Sequence, residues 1–263
     1  RIGEYAWSRL EPEEGKYDLA WLQRAVRLAA KYDIKVVIGT PTDTPPAWLT
    51  QKYPDTLRVD TNGVPAGHGG RRQFSISSPR YRAMARDIVG RMADAVGGEP
   101  NVIGWQIGNE HTDESYDPAA RAAWHAWLKA KYGTLDRLNE LWTTAYWSQT
   151  YTAWDQVPFN AGAGNPGWML DLKRFITDQW VAFQGNQADV LRAKVPAKQF
   201  VTTNLGGLGW ANRFDRYAIN RDLDLASWDD YVGTGHLDVY RNGAVNDLAR
   251  GWKRQNFWVM ETQ

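Results

Sequence analysis

The chain has no cysteine, which excludes disulfides and thiolate metal sites. Histidine is nearly as scarce. His68, His111, His125 and His236 are the only four, and none stands at a metal-ligand spacing from another. No charge dominates either: 31 Lys and Arg face 30 Asp and Glu, a formal net charge of +1. No global field therefore steers the molecule to nucleic acid. No apolar run reaches the roughly 18 residues a membrane span needs. No G-x-G-x-x-G or P-loop follows a strand-like run, which weighs against an open nucleotide-binding sheet.

What is present points elsewhere. The 263 residues are 43% hydrophobic, enough for a full core in one large domain or two small ones. There are 15 Trp and 12 Tyr. Aromatic faces suit sugar rings, but large aromatics more often fill cores, so composition gives only a weak push toward carbohydrate.

The most informative stretch is Val102–Glu110, V-I-G-W-Q-I-G-N-E. An apolar run reads as a buried strand. A carboxylate at its end sits where a core element opens into solvent or a cleft. Phe257–Gln263, F-W-V-M-E-T-Q, repeats the pattern and carries Glu261. The two glutamates stand more than half the chain apart, so only a fold that gathers distant strand ends can pair them. Two carboxyls facing one bond is what glycoside hydrolysis requires.

Taken in order, Arg1–Trp7 reads as a strand, Leu19–Tyr32 as an amphipathic helix and Lys35–Pro41 as a buried strand. Thr42–Ser78 reads as one long irregular stretch, of the kind that tends to be functional. A helix follows from Pro79 to about Val96, capped by Ser77 or Ser78. Asn101–Glu110 is a strand, and Pro118–Tyr132 and Leu135–Trp142 are helices split by Gly133. Thr143–Gly167 is irregular, Trp168–Val195 a long helix and Gln199–Gly206 a strand. Leu223–Tyr231 begins as a strand, Ala244–Trp252 is helical, and Phe257–Gln263 is the last strand. Alternating strand and helix implies a parallel sheet. Polar residues cluster just past the strand ends, at Glu4, Thr40, Asn109–Glu110, Asn204, Asp229–Asp230 and Glu261–Thr262. That is the pattern of a barrel whose site lies on its C-terminal face. Glu4 reads as a rim ion-pair partner, and Asp229 and Asp230 as turn or rim residues.

Several segments together resemble the catalytic barrel of glycoside hydrolase family 42 β-galactosidases. They are R-I-G-E-Y-A-W-S-R-L-E-P-E-E-G (Arg1–Gly15), G-T-P-T-D-T-P-P-A-W-L (Gly39–Leu49) and S-P-R-Y-R (Ser78–Arg82). The others are G-W-Q-I-G-N-E (Gly104–Glu110), D-L-A-S-W-D-D-Y (Asp224–Tyr231) and F-W-V-M-E (Phe257–Glu261). They occur in family order across nearly the whole chain. The resemblance implies an α/β (β/α)8 TIM barrel. Glu110 would be the acid/base and Glu261 the nucleophile of a retaining double displacement. It also implies that Asn109 bonds the sugar 2-hydroxyl and that Arg71, first of the Arg71–Arg72 pair, contacts the sugar. Trp147 would wall the pocket, and Tyr231 would bring an aromatic hydroxyl to it.

Three departures stand out. Gly108 replaces the family's usual Asp or Asn and frees the backbone beside the acid/base. F-S-I-S-S-P replaces a cysteine-bearing stretch, so no zinc and no other cofactor are expected. Arg1 falls inside strand two and Gln263 at the end of strand seven. The barrel is therefore expected to be incomplete: residues 1–263 form one partial catalytic domain of a longer protein, without strands one and eight. A β-galactoside or oligosaccharide substrate, a homotrimeric parent and a cytoplasmic location complete the expectation, with neither nucleic acid nor membrane as partner. Two competing readings stay open. One is a related clan glycosidase, an α-L-arabinopyranosidase or a β-glucosidase. The other is a non-catalytic sugar-binding barrel.

Overall fold

The computed structural model describes residues 1–112, 114–159, 164–207, 214–232 and 238–263. His236 and part of the irregular 143–167 stretch therefore lie outside the described residues. The fold is α/β, with a parallel sheet whose strands alternate with helices. Val36–Gly39 (β1) pairs with Val102–Gln106 (β2), and β2 pairs with Phe200–Thr202 (β3). Asn204–Leu205 (β4) pairs with Ser227–Asp230 (β5), and β5 pairs with Trp258–Thr262 (β6). One residue, Thr203, separates β3 from β4, so the two ladders are successive parts of one curved sheet. Its hydroxyl donates to the Ile107 carbonyl at 2.7 Å, and its carbonyl accepts from Ser227 Oγ at 2.9 Å.

The expected N-terminal strand shrinks to one residue. Ile2 bridges Ile38 in parallel, its N–H donating to Val37 at 3.0 Å and its carbonyl accepting from Gly39 at 2.9 Å. Gly3, at φ +109, then turns the chain, and helix α1 occupies Trp7–Leu10. Ile2 and the paired strands give six parallel positions. Among the described residues the sheet does not close on itself. The Gln199–Gly206 run is interrupted at Thr203, and the Leu223–Tyr231 run is paired only from Ser227.

The helices follow their local signals closely. Pro79–Val96 (α4), Pro118–Tyr132 (α5), Leu135–Trp142 (α6) and Pro166–Lys194 (α7) are each capped by a side chain, from Ser78, Asp117, Thr134 and Asn165. Three of them carry Pro at the first position, where its missing N–H costs nothing. Gly133 at φ +73 parts α5 from α6. Ala20–Lys31 (α2) buries Leu22 and Val26. Val239–Lys253 (α9) is longer than its apolar pattern suggested. Among the described residues, three short α-helices have no counterpart in the sequence reading: α1, Ala47–Lys52 (α3), inside the stretch read as irregular, and Arg216–Arg221 (α8).

The core is aromatic. Trp7, Trp105, Trp124 and Trp180 are all within 1% of complete burial, so much of the tryptophan packs rather than faces solvent. Trp124 meets Phe175 edge-on at 5.4 Å and stacks near Trp142 at 6.4 Å. Gly104 lets β2 approach β3, since a Cβ there would lie 2.4 Å from the Phe200 ring. Among the described residues, no helix is long and apolar enough to cross a membrane.

Candidate active site

The strand ends converge on one mouth. β2 stops at Gln106, and the chain turns through Gly108 at φ +56 and Glu110 at φ +49. A Cβ at Gly108 would stand 2.9 Å from Asp43 Oδ1, so glycine satisfies both the backbone angle and the space. A left-handed glutamate is uncommon. This one is held by its surroundings: its N–H donates to Asn204 Oδ1 at 3.2 Å, and its side chain is buried under the Arg71–Arg72 segment. Glu110 Oε2 accepts from Arg71 Nη1 at 3.2 Å, Asn109 Nδ2 at 3.3 Å and Arg72 Nη2 at 3.4 Å. Arg71 also donates to the Tyr5 hydroxyl at 3.0 Å. The long 42–78 stretch delivers both arginines by folding back, with Arg72 N–H donating to the Asp43 carbonyl at 2.9 Å.

Glu261 belongs to β6. Its Oε1 accepts from Arg1 Nη2 at 2.5 Å and Asn204 Nδ2 at 3.1 Å, and its Oε2 from the Tyr231 hydroxyl at 2.5 Å. Burial raises its pKa, but the Tyr231 and Arg1 hydrogen bonds outweigh that, and the net direction is downward. Arg1 also bonds Glu4 at 3.0 Å, as a rim partner should, and Gln106 Oε1 at 2.8 Å.

Asn204 is the residue sequence reasoning undervalued. It is fully buried and reaches both glutamates. Its Oδ1 accepts from the Glu110 backbone and from Gln106 Nε2 at 2.8 Å, while its Nδ2 faces Glu261, Asn109 Oδ1 at 3.0 Å and Asp229 Oδ2 at 2.7 Å. Its polar position past a strand end was the available signal, but the partners come from three other strands. Asp229 is likewise no rim residue. It is 2% exposed, and burial, then the charges of Glu261 and Glu110, push its carboxyl up to about 8. Asp230 points to α9, where Asn242 Nδ2 donates to it at 2.7 Å.

Arg71, Asn109 and Tyr231 thus join the glutamate pair. Trp147 is not tied into this network among the described residues: 68% exposed, it stacks on Tyr146 with centroids 4.9 Å apart. Beneath Glu110, His111 stacks on Trp180 at 4.4 Å, and burial, aided by Arg72, lowers its pKa to about 3, so it is neutral. Neither Asp43 oxygen accepts a well-formed hydrogen bond, although the Asn109 N–H faces it. Burial pushes that carboxyl up to about 7, against the pull of Arg72. Among the described residues no three His, Asp or Glu gather to hold a metal ion.

Comparison with solved structures first fixes the class of fold. A β-amylase catalytic domain from Paenibacillus polymyxa, only 14% identical, superposes with a TM-score of 0.73 over 94% of this chain and 74% of its own, which speaks to fold alone. The family is fixed by sequence. The glycoside hydrolase family 42 model, described as Beta-galactosidase, matches residues 1–263, and the chain belongs to that family. The beta-galactosidase BgaA of Thermus sp. is 42% identical over all of this chain and 44% of its own length. The BgaA of Clostridium cellulovorans is 36% identical over 99% of this chain and 40% of its own. A catalytic mutant of a GH42 beta-galactosidase from G. stearothermophilus is 34% identical, with a TM-score of 0.94 over 100% of this chain and 40% of that one. The chain therefore spans less than half the length of these relatives.

Proposed function

We propose that this chain forms the catalytic part of a retaining β-galactosidase, with Glu261 as nucleophile and Glu110 as acid/base. The observation that carries the reading is the Asn204 bridge, which links the two glutamates at one mouth. In the first half-reaction a Glu261 oxygen attacks the anomeric carbon while the bond to the leaving oxygen breaks, and the Glu110 proton passes to that oxygen. In the second, Glu110 takes a proton from water, which attacks the same carbon and frees Glu261. The hydrogen bonds from Arg1 and Tyr231 support an ionised Glu261 at neutral pH. Asn109 and Arg71 stand beside Glu110, where they suit hydroxyl contacts on the sugar. Trp147 as an aromatic wall rests on the resemblance alone.

The relatives' names support galactose as the sugar. We extend the same reading to the architecture: an eight-stranded barrel completed by two further strands, in a parent protein that assembles as a homotrimer.

The test is hydrolysis of an aryl β-galactoside by the full-length gene product and its variants. Glu261→Ala is expected to lower turnover about 10⁴-fold or more. Glu110→Ala is expected to regain turnover of an aryl galactoside with a good leaving group when azide is added, giving the β-galactosyl azide. Equal low rates in the native protein and Glu261→Ala would favour the sugar-binding reading instead.

A further inference from the structure

Asp229 is a buried acid that the proposed chemistry leaves unused. It sits on β5 opposite a bulge in β6, where the register skips Met260 and pairs it with Glu261. Its Oδ2 accepts from Asn204 Nδ2, and its Oδ1 has no hydrogen-bond partner among the described residues. The same Nδ2 faces Glu261 Oε1 and Asn109 Oδ1. One amide nitrogen carries two protons and here meets three acceptors.

The two carboxyls are unequal in what else they have. Glu261 has the Arg1 guanidinium and the Tyr231 hydroxyl, whereas Asp229 has only the shared amide. Neighbouring carboxyls resist ionising together, and the proton stays on the one with fewer donors. The surrounding charges act the same way. Glu261 from β6 and Glu110 from beyond β2 repel a charge on Asp229, and Arg1 offsets part of this. Asp238 and Arg241 at the start of α9 line a cavity with Asp229, Asp230 and Tyr231, and they oppose one another in sign.

We infer that Asp229 is a positioning residue: through the Asn204 amide it shares with Glu261, it keeps the nucleophile and Asn109 in place only while it is uncharged. The inference rests on the roles proposed above. An ionised Asp229 draws the amide to itself and away from Glu261 Oε1 and Asn109 Oδ1. A misplacement of about 1 Å at reacting atoms costs on the order of a hundredfold in rate. Asp229 neither gives nor takes a proton in either half-reaction.

The experiment is the pH dependence of kcat/KM for the full-length gene product, with an aryl β-galactoside whose phenol leaves without protonation. Such a substrate needs no proton on its leaving oxygen, and the alkaline limb that remains reports Asp229. The native limb is expected near pH 8, so the rate one unit above it falls about tenfold. Asp229→Asn has nothing to titrate, and its ratio of rates at about pH 9 and about pH 6 should rise about tenfold over native. A native profile without an alkaline limb, or a limb that persists in Asp229→Asn, overturns the inference. Should that variant not fold, carbon-13 titration of the assigned Asp229 carboxyl in the native protein decides. A midpoint near 8 supports the inference, and one below about 6 overturns it. Failure of the native protein to turn over any aryl galactoside is a separate result, which sinks the glycosidase reading and this inference with it.

Discussion

Two buried aspartates, Asp171 and Asp229, show how differently this molecule treats its scaffold and its mouth. Asp171, on α7 beneath the aromatic cluster, is fully provided for. Oδ1 accepts from Lys131 and from Arg174 at 3.0 Å; Oδ2 accepts from the Tyr132 hydroxyl at 2.5 Å and Trp142 Nε1 at 3.2 Å. Burial raises its pKa, but the hydrogen bonds from Lys131, Tyr132 and Arg174 lower it more, and the carboxyl lies below its ordinary value. Asp229 has one amide, shared, and a carboxyl raised to about 8. At Asp171 the scaffold matches both oxygens of a buried carboxyl with donors, as a buried charge requires. The mouth leaves Asp229 Oδ1, both Asp43 oxygens and both His111 nitrogens without well-formed bonds.

The largest expected effect on this contrast comes from Asn204→Ala. It removes the bridge between the glutamates, and kcat should fall about a hundredfold with a smaller change in KM, as steady-state kinetics would show. An unchanged kcat would make Asn204 part of the scaffold. Asp171→Ala should do the reverse. Removing the hub leaves buried donors unmatched and costs about 2–4 kcal/mol in urea unfolding at neutral pH, with activity per folded molecule retained. The native contribution of Asp171 is present above the carboxyl's unfolded pKa and is lost as pH falls through its depressed folded pKa, so the penalty should shrink in acid.

Tyr231→Phe takes a donor from Glu261. Because that bond holds the Glu261 pKa down, its loss raises it. The acid limb of kcat/KM should then move up by roughly one pH unit. A limb that stays put would mean that Tyr231 does not set the ionisation of Glu261.

Stability at Asp229 depends on pH with a sign opposite to that at Asp171. A raised folded pKa gives stability that is complete below the unfolded value near 4 and is lost as pH rises to about 8. Asp229→Asn should therefore melt higher relative to native at pH 8 than at pH 4. A gap that does not widen with pH would contradict the raised carboxyl.

The sequence disclosed the parts governed by neighbours along the chain. Ser78 with Pro79, Asp117 with Pro118, and Thr134 after Gly133 place three helix starts to the residue, because caps and proline act locally. Glu110 and Glu261 were legible as charged ends to apolar runs. What was hidden depended on residues brought together from afar. The Arg1–Trp7 run looks like a strand, but Gly3 turns it after Ile2, and only Ile2 finds a ladder partner. The α3 helix was masked by the Pro and Gly around it. Asn204 looked like one polar strand-end residue among several, and Asp229 like a turn or rim residue, because their importance arises only when β4, β5 and β6 lie side by side.

The central claim is that Glu261 forms the bond to the sugar, and covalent trapping tests it most directly. The full-length gene product would be inactivated with a 2-deoxy-2-fluorogalactoside bearing a good leaving group, digested and mapped by mass spectrometry. The account predicts one added fluorogalactosyl group, carried by the peptide containing Phe257–Gln263 and attached to Glu261. Attachment to Glu110 or Asp229, or inactivation of Glu261→Ala at the native rate, would contradict it.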